Sequence, residues 1–181
     1  MSLFKNERAS VQVAICAESD CEVSIMIEST LENNIKTYIV EEIYSGMATG
    51  RAQDDYTLRR ESGNFPELLR PTDGNIKLKA GKWTSLWLEL FSENNLTVGK
   101  SNVNLVLKTA DAQQNAEFEF DVLDALLPNQ DLIYTNWFHT DCLATYYSTE
   151  IFSEEYWRIV ENYLKVACEH GMNMVLTPIF T

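Results

Sequence analysis

Apolar and polar residues alternate along most of the first 126 residues, which is the period of β-strands that bury one face. Short stretches of turn-forming residues separate these alternating runs, and no apolar spacing typical of a helix interrupts them. The alternation predicts strands over residues 10–18, 22–28, 35–44, 83–91, 101–108 and 116–123. Short strands at such regular spacing indicate an antiparallel β-sandwich of immunoglobulin-like type, so the chain is expected to be mainly β.

The predicted strand over residues 83–91 has a strongly apolar side. Leu86, Leu88 and Leu90 alternate with residues that face the other way, among them Trp83 and Trp87. One interpretation of two tryptophans on an outward face is a platform on which sugar rings stack. Tryptophans in such a place more often pack between domains, so both interpretations stay open.

Two parts of this region do not fit the alternation. Residues 63–75 contain Pro66, Pro71 and an Asp73-Gly74 turn, and we expect a connection there and not a central strand. Residues 47–56 are polar, which predicts a loop or an irregular edge.

A different pattern begins after the predicted linker over residues 127–131. Ser153 is a good N-cap, Glu154 and Glu155 complement the helix dipole, and Gly171 can take the left-handed conformation that ends a helix. We therefore predict a helix over residues 153–170. Its buried face is expected to consist of Tyr156, Ile159, Val160, Tyr163, Leu164 and Ala167.

Two short apolar runs without charges flank this helix, at residues 132–138 and 173–176, and a polar and aromatic loop separates the first run from the helix. Strand, helix, strand at this length predicts a parallel, right-handed β-α-β unit. The predicted domains are thus a sandwich over 1–126 and a second domain over 132–181. One such unit cannot cover its own apolar faces. We expect Tyr134, Phe138, Leu176 and Phe180 to be buried by the sandwich, by further barrel residues or by another chain, as in a homo-oligomer.

Several runs of the chain carry a family resemblance. They are KAGKWTSLWLEL (79–90), FEFDV (118–122), LP (127–128) and NWFHTD (136–141). In this order they resemble glycoside hydrolase family 123, or a closely related uncharacterised family. The resemblance implies a β-sandwich followed by a TIM-barrel catalytic domain, a (β/α)8 barrel. A whole barrel needs about 250 residues, so we expect this chain to hold only its beginning.

The resemblance also implies an activity. Members of the family are retaining glycosidases that act on 2-acetamido sugars, N-acetyl-β-galactosaminides among them, with the substrate's own acetamido oxygen as nucleophile. Their two catalytic carboxylates are an adjacent Asp-Glu pair, and this chain contains no Asp-Glu dipeptide. No catalytic residue is therefore assigned, and the chain by itself is expected to be inactive.

A part of the substrate-binding surface is still expected within the chain, because barrel enzymes bind substrates at the carboxyl ends of their strands. Trp137, His139 and Asp141 follow the first predicted strand, and Thr177 follows the second. Trp137 is expected to stack on a sugar ring, and His139 and Asp141 to bind hydroxyls. An alternative from another class also stays open, a stand-alone sandwich that acts as a carbohydrate-binding or oligomerisation module without catalysis.

The net charge and the composition reduce the classes of partner that the chain is expected to bind. A net charge of −13 argues against nucleic acid and anionic membranes, and no apolar run approaches the roughly 18 residues of a membrane helix. The N-terminus has no apolar signal-peptide core, although Met1 to Leu3 equally suit a cloning leader, and we expect a cytoplasmic location.

No cofactor or metal is expected. His139, Asp141 and Cys142 stand close together, but no second His lies near them, which argues against zinc. The four cysteines show no Cys-x-x-Cys spacing, and we expect free, buried thiols in a reducing compartment.

Overall fold

The computed structural model of the protein describes residues 1–46, 61–129 and 131–177. The loop predicted over residues 47–56 and the side chain of Phe180 lie outside the described residues. The chain divides into two compact units, Met1–Pro128 and Asn129–Thr181. Each unit has its own buried core.

The first unit is a β-sandwich of two sheets. In the described part of the chain, one sheet contains, in spatial order, β1 (Ser2–Lys5), β9 (Gln113–Leu126), β8 (Gly99–Lys108), β3 (Cys21–Glu28) and β6 (Asn75–Leu78). The other contains β2 (Glu7–Cys16), β7 (Trp83–Ser92), β4 (Ile35–Ser45) and β5 (Gly63–Pro71), and a short 3-10 helix spans Glu32–Asn34. Neighbouring strands run antiparallel except for β1 and β9, which are parallel. The predicted mainly β sandwich is confirmed.

The alternation along β7 explains why the two sheets pack together. Leu86, Leu88 and Leu90 are at most 1% exposed, and they lie opposite the inward-facing residues of β2 and β4. Burying one such leucine stabilises the fold by about 1.5–3 kcal/mol. Trp83 is 69% exposed, which agrees with its predicted outward direction.

The segment predicted as a connection over residues 63–75 is largely a strand. β5 pairs with β4, with Pro66 opposite Glu42 and Pro71 opposite Tyr38. Among the described strands, β5 is the last in its sheet, so one side of its backbone pairs with no described strand. Proline lacks the N–H group that a ladder needs, and it is tolerated at an edge because no ladder bond is lost on that side. The prediction that this segment is not a central strand was therefore right, and the predicted connection was wrong.

β1 is a strand that the alternation did not reveal. Leu3 is 2% exposed in the sandwich core, and the N-terminal amine of Met1 donates to the carbonyl of Glu119 at 2.8 Å. A strand of four residues is too short to show a period in sequence.

The second unit contains two helices, α1 (Thr140–Tyr147) and α2 (Glu154–Glu169). α2 is the helix predicted over residues 153–170. The hydroxyl of Ser153 accepts from the N–H of Tyr156 at 3.2 Å, and Gly171 has φ 95°. α1 lies where a polar and aromatic loop was expected. The two helices share a core that consists of Leu143, Ala144, Tyr156, Ile159 and Val160.

The two apolar runs predicted as strands meet in parallel, as expected, but their pairing is short. Trp137 and Leu176 form an isolated parallel bridge, and the N–H of Phe138 donates to the carbonyl of Leu176 at 2.9 Å. Tyr134 is 50% exposed and Leu176 43%. The chain by itself therefore leaves both side chains half in solvent, and their burial by additional protein stays a prediction.

The cysteines are free thiols, as predicted, but most of them are not buried. Cys16, Cys142 and Cys168 are exposed, and Cys21 is half-buried. No helix in the described ranges combines the length and the apolar character that crossing a membrane requires.

Candidate functional site

The site begins where the two apolar runs of the second unit lie side by side. Trp137 bridges to Leu176, and Thr177 is the next residue along the chain. The ends of both runs are therefore neighbours, as the prediction of a site at strand ends requires. Thr177 is exposed. It is near Trp137 because the preceding residue, Leu176, forms the backbone bridge with Trp137.

His139 is the N-cap residue of α1. Its backbone is extended, with φ −85° and ψ 97°, and its carbonyl accepts from the N–H of Cys142 at 3.3 Å. Its side chain makes no capping hydrogen bond to the helix. The imidazole lies instead between two other candidate residues, with its ring centre 6.2 Å from that of Trp137 and its Nδ1 4.0 Å from Oδ1 of Asp141.

The structure thus brings Trp137, His139 and Asp141 into one cluster. Trp137 is 77% exposed, and the side chains of His139 and Asp141 are 41% and 40% exposed. Asp141 also lies in the first turn of α1, where a negative charge complements the helix dipole. An indole face beside a carboxylate and an imidazole offers an apolar surface together with hydrogen-bond acceptors and a donor. That combination suits a polyhydroxylated ligand.

Asn173 holds the two runs in register, and the sequence reasoning did not single it out. Its Oδ1 accepts from the N–H of Tyr134 at 2.8 Å, and its Nδ2 donates to the carbonyl of Leu132 at 3.0 Å. Its own N–H donates to the carbonyl of Tyr134 at 3.2 Å. One residue therefore satisfies three backbone groups that a longer ladder would otherwise pair. An asparagine beside an apolar run is too common a signal to reveal this role.

Beside the site, α1 contributes tyrosines that the sequence reasoning also missed. The hydroxyls of Tyr147 and Tyr163 lie 3.0 Å apart, and the ring of Tyr163 lies 6.3 Å from that of Phe138. The hydrogen bond between Tyr163 and Tyr147, together with partial burial, raises the pKa of Tyr163 to about 12. Tyr146, which precedes Tyr147 on α1, is 78% exposed. Recognition of α1 as a helix would have placed these aromatic residues together.

In residues 1–46, 61–129 and 131–177, no group of three or more His, Cys, Asp or Glu side chains is arranged to hold a metal ion. His139 and Asp141 are close, but they are only two groups.

A known protein-family model matches the part of the chain that contains this candidate site. The family model for the glycoside hydrolase 123 catalytic domain matches residues 137–181, which include every candidate site residue. No curated protein sequence matches the chain.

One solved structure has a similar fold. A family 123 glycoside hydrolase from Clostridium perfringens is similar with a TM-score of 0.77 and 16% sequence identity. The similarity covers 96% of this chain and 32% of that one, so the chain spans about a third of that protein's length.

Two further structures are only distantly similar. The sporulation control protein of Bacillus subtilis has a TM-score of 0.37 at 10% identity, over 67% of this chain and 45% of that one. A chaperone and tip adhesion subunit complex of Acinetobacter baumannii pili has a TM-score of 0.30 at 14% identity, over 68% and 48%. These two TM-scores are too low to relate either protein to this chain. The chain is thus similar to the glycoside hydrolase 123 catalytic domain over residues 137–181, and its fold is a β-sandwich followed by the beginning of a (β/α)8 barrel.

Proposed function

We propose that these residues form the N-terminal part of a retaining glycosidase that hydrolyses glycosides of 2-acetamido sugars, with N-acetyl-β-galactosaminides as the preferred class. The observation that carries the proposal is the catalytic-domain match over residues 137–181, which coincides with the cluster of Trp137, His139 and Asp141. The similar protein from Clostridium perfringens is described as acting on glycolipid glycans, which supports a carbohydrate substrate.

In this proposal the described residues bind the sugar and do not break the bond. Trp137 presents its exposed indole to the apolar face of a pyranose ring, and His139 and Asp141 bind its hydroxyls. Thr177 contributes a hydroxyl from the neighbouring run. Hydroxyl groups both donate and accept, so the mixed donors and acceptors of this cluster match them.

The bond-breaking groups of the proposed mechanism are an adjacent Asp-Glu pair, which these 181 residues do not contain. In that mechanism the acetamido oxygen attacks the anomeric carbon, one carboxylate orients the acetamido group, and the other acid protonates the leaving oxygen. The 181-residue chain is therefore proposed to bind sugar without turnover.

The first test is to read the gene beyond the Thr181 codon. The proposal requires an open frame that encodes the remaining barrel and an Asp-Glu pair at a predicted strand end. The complete protein would then be assayed with nitrophenyl N-acetyl-β-galactosaminide and, as the matched control, with nitrophenyl β-galactoside, which lacks the acetamido group. Cleavage of the first alone, with β-configured product seen first by NMR, is expected. A stop codon directly after Thr181, or equal cleavage of both glycosides, would overturn the proposal.

A further inference from the structure

The sandwich contains an open groove among its strands. The groove has a volume of about 990 Å³ and is formed by strands of both sheets, including β4 and β5 of one and β6 of the other. This volume lies at the upper end of the range of small-molecule binding sites. All of its described lining residues belong to the first unit.

One exposed aromatic ring lies in the wall of this groove. Trp83, at the start of β7, is 69% exposed although it is one of the largest apolar side chains in the protein. Trp87 is outside the groove lining, and its indole Nε1 is buried without a hydrogen-bond partner among the described residues. The platform of two tryptophans considered from the sequence is thus reduced, in this groove, to Trp83. An indole face in solvent favours a ligand that presents apolar C–H groups to it.

The charges of the groove balance, in contrast to the rest of the protein. Among its described lining residues, four are acidic and four are basic, whereas the chain as a whole carries −13. Two ion pairs lie along its wall, Glu41 with Arg70 at 2.5 Å and Glu42 with Lys82 at 3.1 Å. The described lining residues, which carry no net charge together, give no net attraction for an anion or a cation. Its occupant is therefore expected to be neutral.

Hydrogen-bond donors and acceptors line the groove together with Trp83. Gln12 donates through its Nε2 to the hydroxyl of Ser85 at 2.9 Å, and both side chains line the groove. The carboxylates of Glu41 and Glu42 accept, and the guanidinium of Arg70 donates. Neutral molecules with many hydroxyls satisfy such a mixture, because each hydroxyl can accept from one group and donate to another.

We infer that this groove is a non-catalytic binding site for a neutral oligosaccharide, with Trp83 stacked against one sugar ring. The inference does not depend on the proposed glycosidase activity, because the site uses residues of the sandwich alone. It assigns the sandwich a role in holding a glycan near the protein.

The test measures binding of the 181-residue chain to immobilised cellotetraose, galactotetraose, mannotetraose and chitotetraose. A heparin tetrasaccharide serves as the anionic contrast. We expect binding to at least one neutral tetrasaccharide and none to heparin. Binding of heparin alone, or of none of the neutral probes, overturns the inference.

Variants locate the binding. Trp83→Ala is expected to weaken the affinity about tenfold or more, the effect of losing a central aromatic contact. Trp83→Phe should retain part of the affinity, and Gln12→Ala should weaken it several-fold. Trp157→Ala, a matched control at a tryptophan that is 51% exposed on α2, should bind normally. Circular dichroism and thermal unfolding establish that each variant is folded.

The outcome also separates this inference from the proposed function. Unchanged binding by folded Trp83→Ala overturns the groove assignment. If Trp137→Ala abolishes binding while Trp83→Ala does not, the sugar is held by the second unit, which contradicts the groove and favours the proposed catalytic cluster. As a second readout, addition of the bound tetrasaccharide should shift the NMR signal of the Trp83 indole N–H, assigned by its disappearance in Trp83→Phe.

Discussion

The side-chain amide of Asn173 accepts a hydrogen bond from the backbone N–H of Tyr134 at 2.8 Å, and the backbone N–H of Asn173 returns one to the carbonyl of Tyr134 at 3.2 Å. This reciprocal pair joins the two runs whose ends carry Trp137 and Thr177. The candidate sugar-binding cluster therefore depends on a polar residue that touches none of its side chains in the hydrogen bonds described.

Replacing Asn173 tests this dependence. Asn173→Ala removes the side-chain bonds to Tyr134 and Leu132, each worth about 0.5–1.5 kcal/mol. We expect faster hydrogen exchange at the N–H of Phe138, which pairs with Leu176. Asn162→Ala on the exposed side of α2 is the matched control and should leave that exchange rate unchanged. Equal rates in both variants would show that Asn173 does not hold the runs together.

The cap of α2 offers a second prediction. Ser153→Ala removes the hydroxyl that accepts from the N–H of Tyr156 at 3.2 Å, and a lost N-cap costs about 1 kcal/mol of helix stability. A lower thermal midpoint of the second unit is expected, measured by circular dichroism. Ser153→Asp retains an accepting oxygen and should restore most of the midpoint. If Asp behaves like Ala, the cap is not the source of the loss.

The core of the sandwich offers a third prediction. Leu86→Ala leaves a cavity at a position that is 0% exposed, and such a change costs about 2–5 kcal/mol in the free energy of unfolding. Leu68→Ala, at a residue that is 46% exposed on β5, is the control and should cost far less. Urea unfolding measures both. Similar losses would mean that β7 does not lie at the centre of the core.

The tyrosine pair predicts a dependence on alkaline pH. The pKa of Tyr163 is raised to about 12 by its hydrogen bond with Tyr147 and by partial burial, so the folded state holds this proton more tightly than the unfolded state. The stabilising contribution is complete below pH about 10, the ordinary tyrosine pKa. It is lost as the pH rises from there through about 12.

Absorbance of the phenolate near 295 nm measures this titration. Tyr147→Phe removes the hydroxyl that lies 3.0 Å from that of Tyr163, and it should lower the pKa of Tyr163 towards its ordinary value. Tyr44→Phe, at a tyrosine that is 67% exposed in the sandwich, is the control. An unchanged late titration in Tyr147→Phe would contradict the pairing.

The proposed sugar-binding site is tested in the complete protein. His139→Ala and Asp141→Asn are expected to raise the KM for an N-acetyl-β-galactosaminide at least several-fold, because both side chains are proposed to bind hydroxyls. Thr145→Ala, an exposed change on α1, is the control. Turnover and KM within a few-fold of normal in both site variants would remove His139 and Asp141 from the binding surface.

The sequence reasoning succeeded where one local signal decided the structure. β7 follows the alternation of its leucines, and α2 follows Ser153, its acidic first turn and Gly171. It failed where a signal was short or ambiguous. The strand β1 has four residues, α1 has eight, and two prolines concealed β5. The proximity of Trp137, His139 and Asp141 was predicted from their place at the end of the first run, whereas the contacts that Asn173 and Tyr163 make with that run were not.

By itself, the sequence determined the class of fold, the orientation of the residues on β7 and the bounds of α2, because hydrophobic period and helix capping act over a few neighbouring residues. Only the tertiary structure decided that β5 is an edge strand, that Asn173 closes the short ladder, and that Trp83 and Arg70 share one groove. These relationships join residues distant in sequence. Their formation depends on how whole sheets and helices pack, which no local pattern of residues specifies.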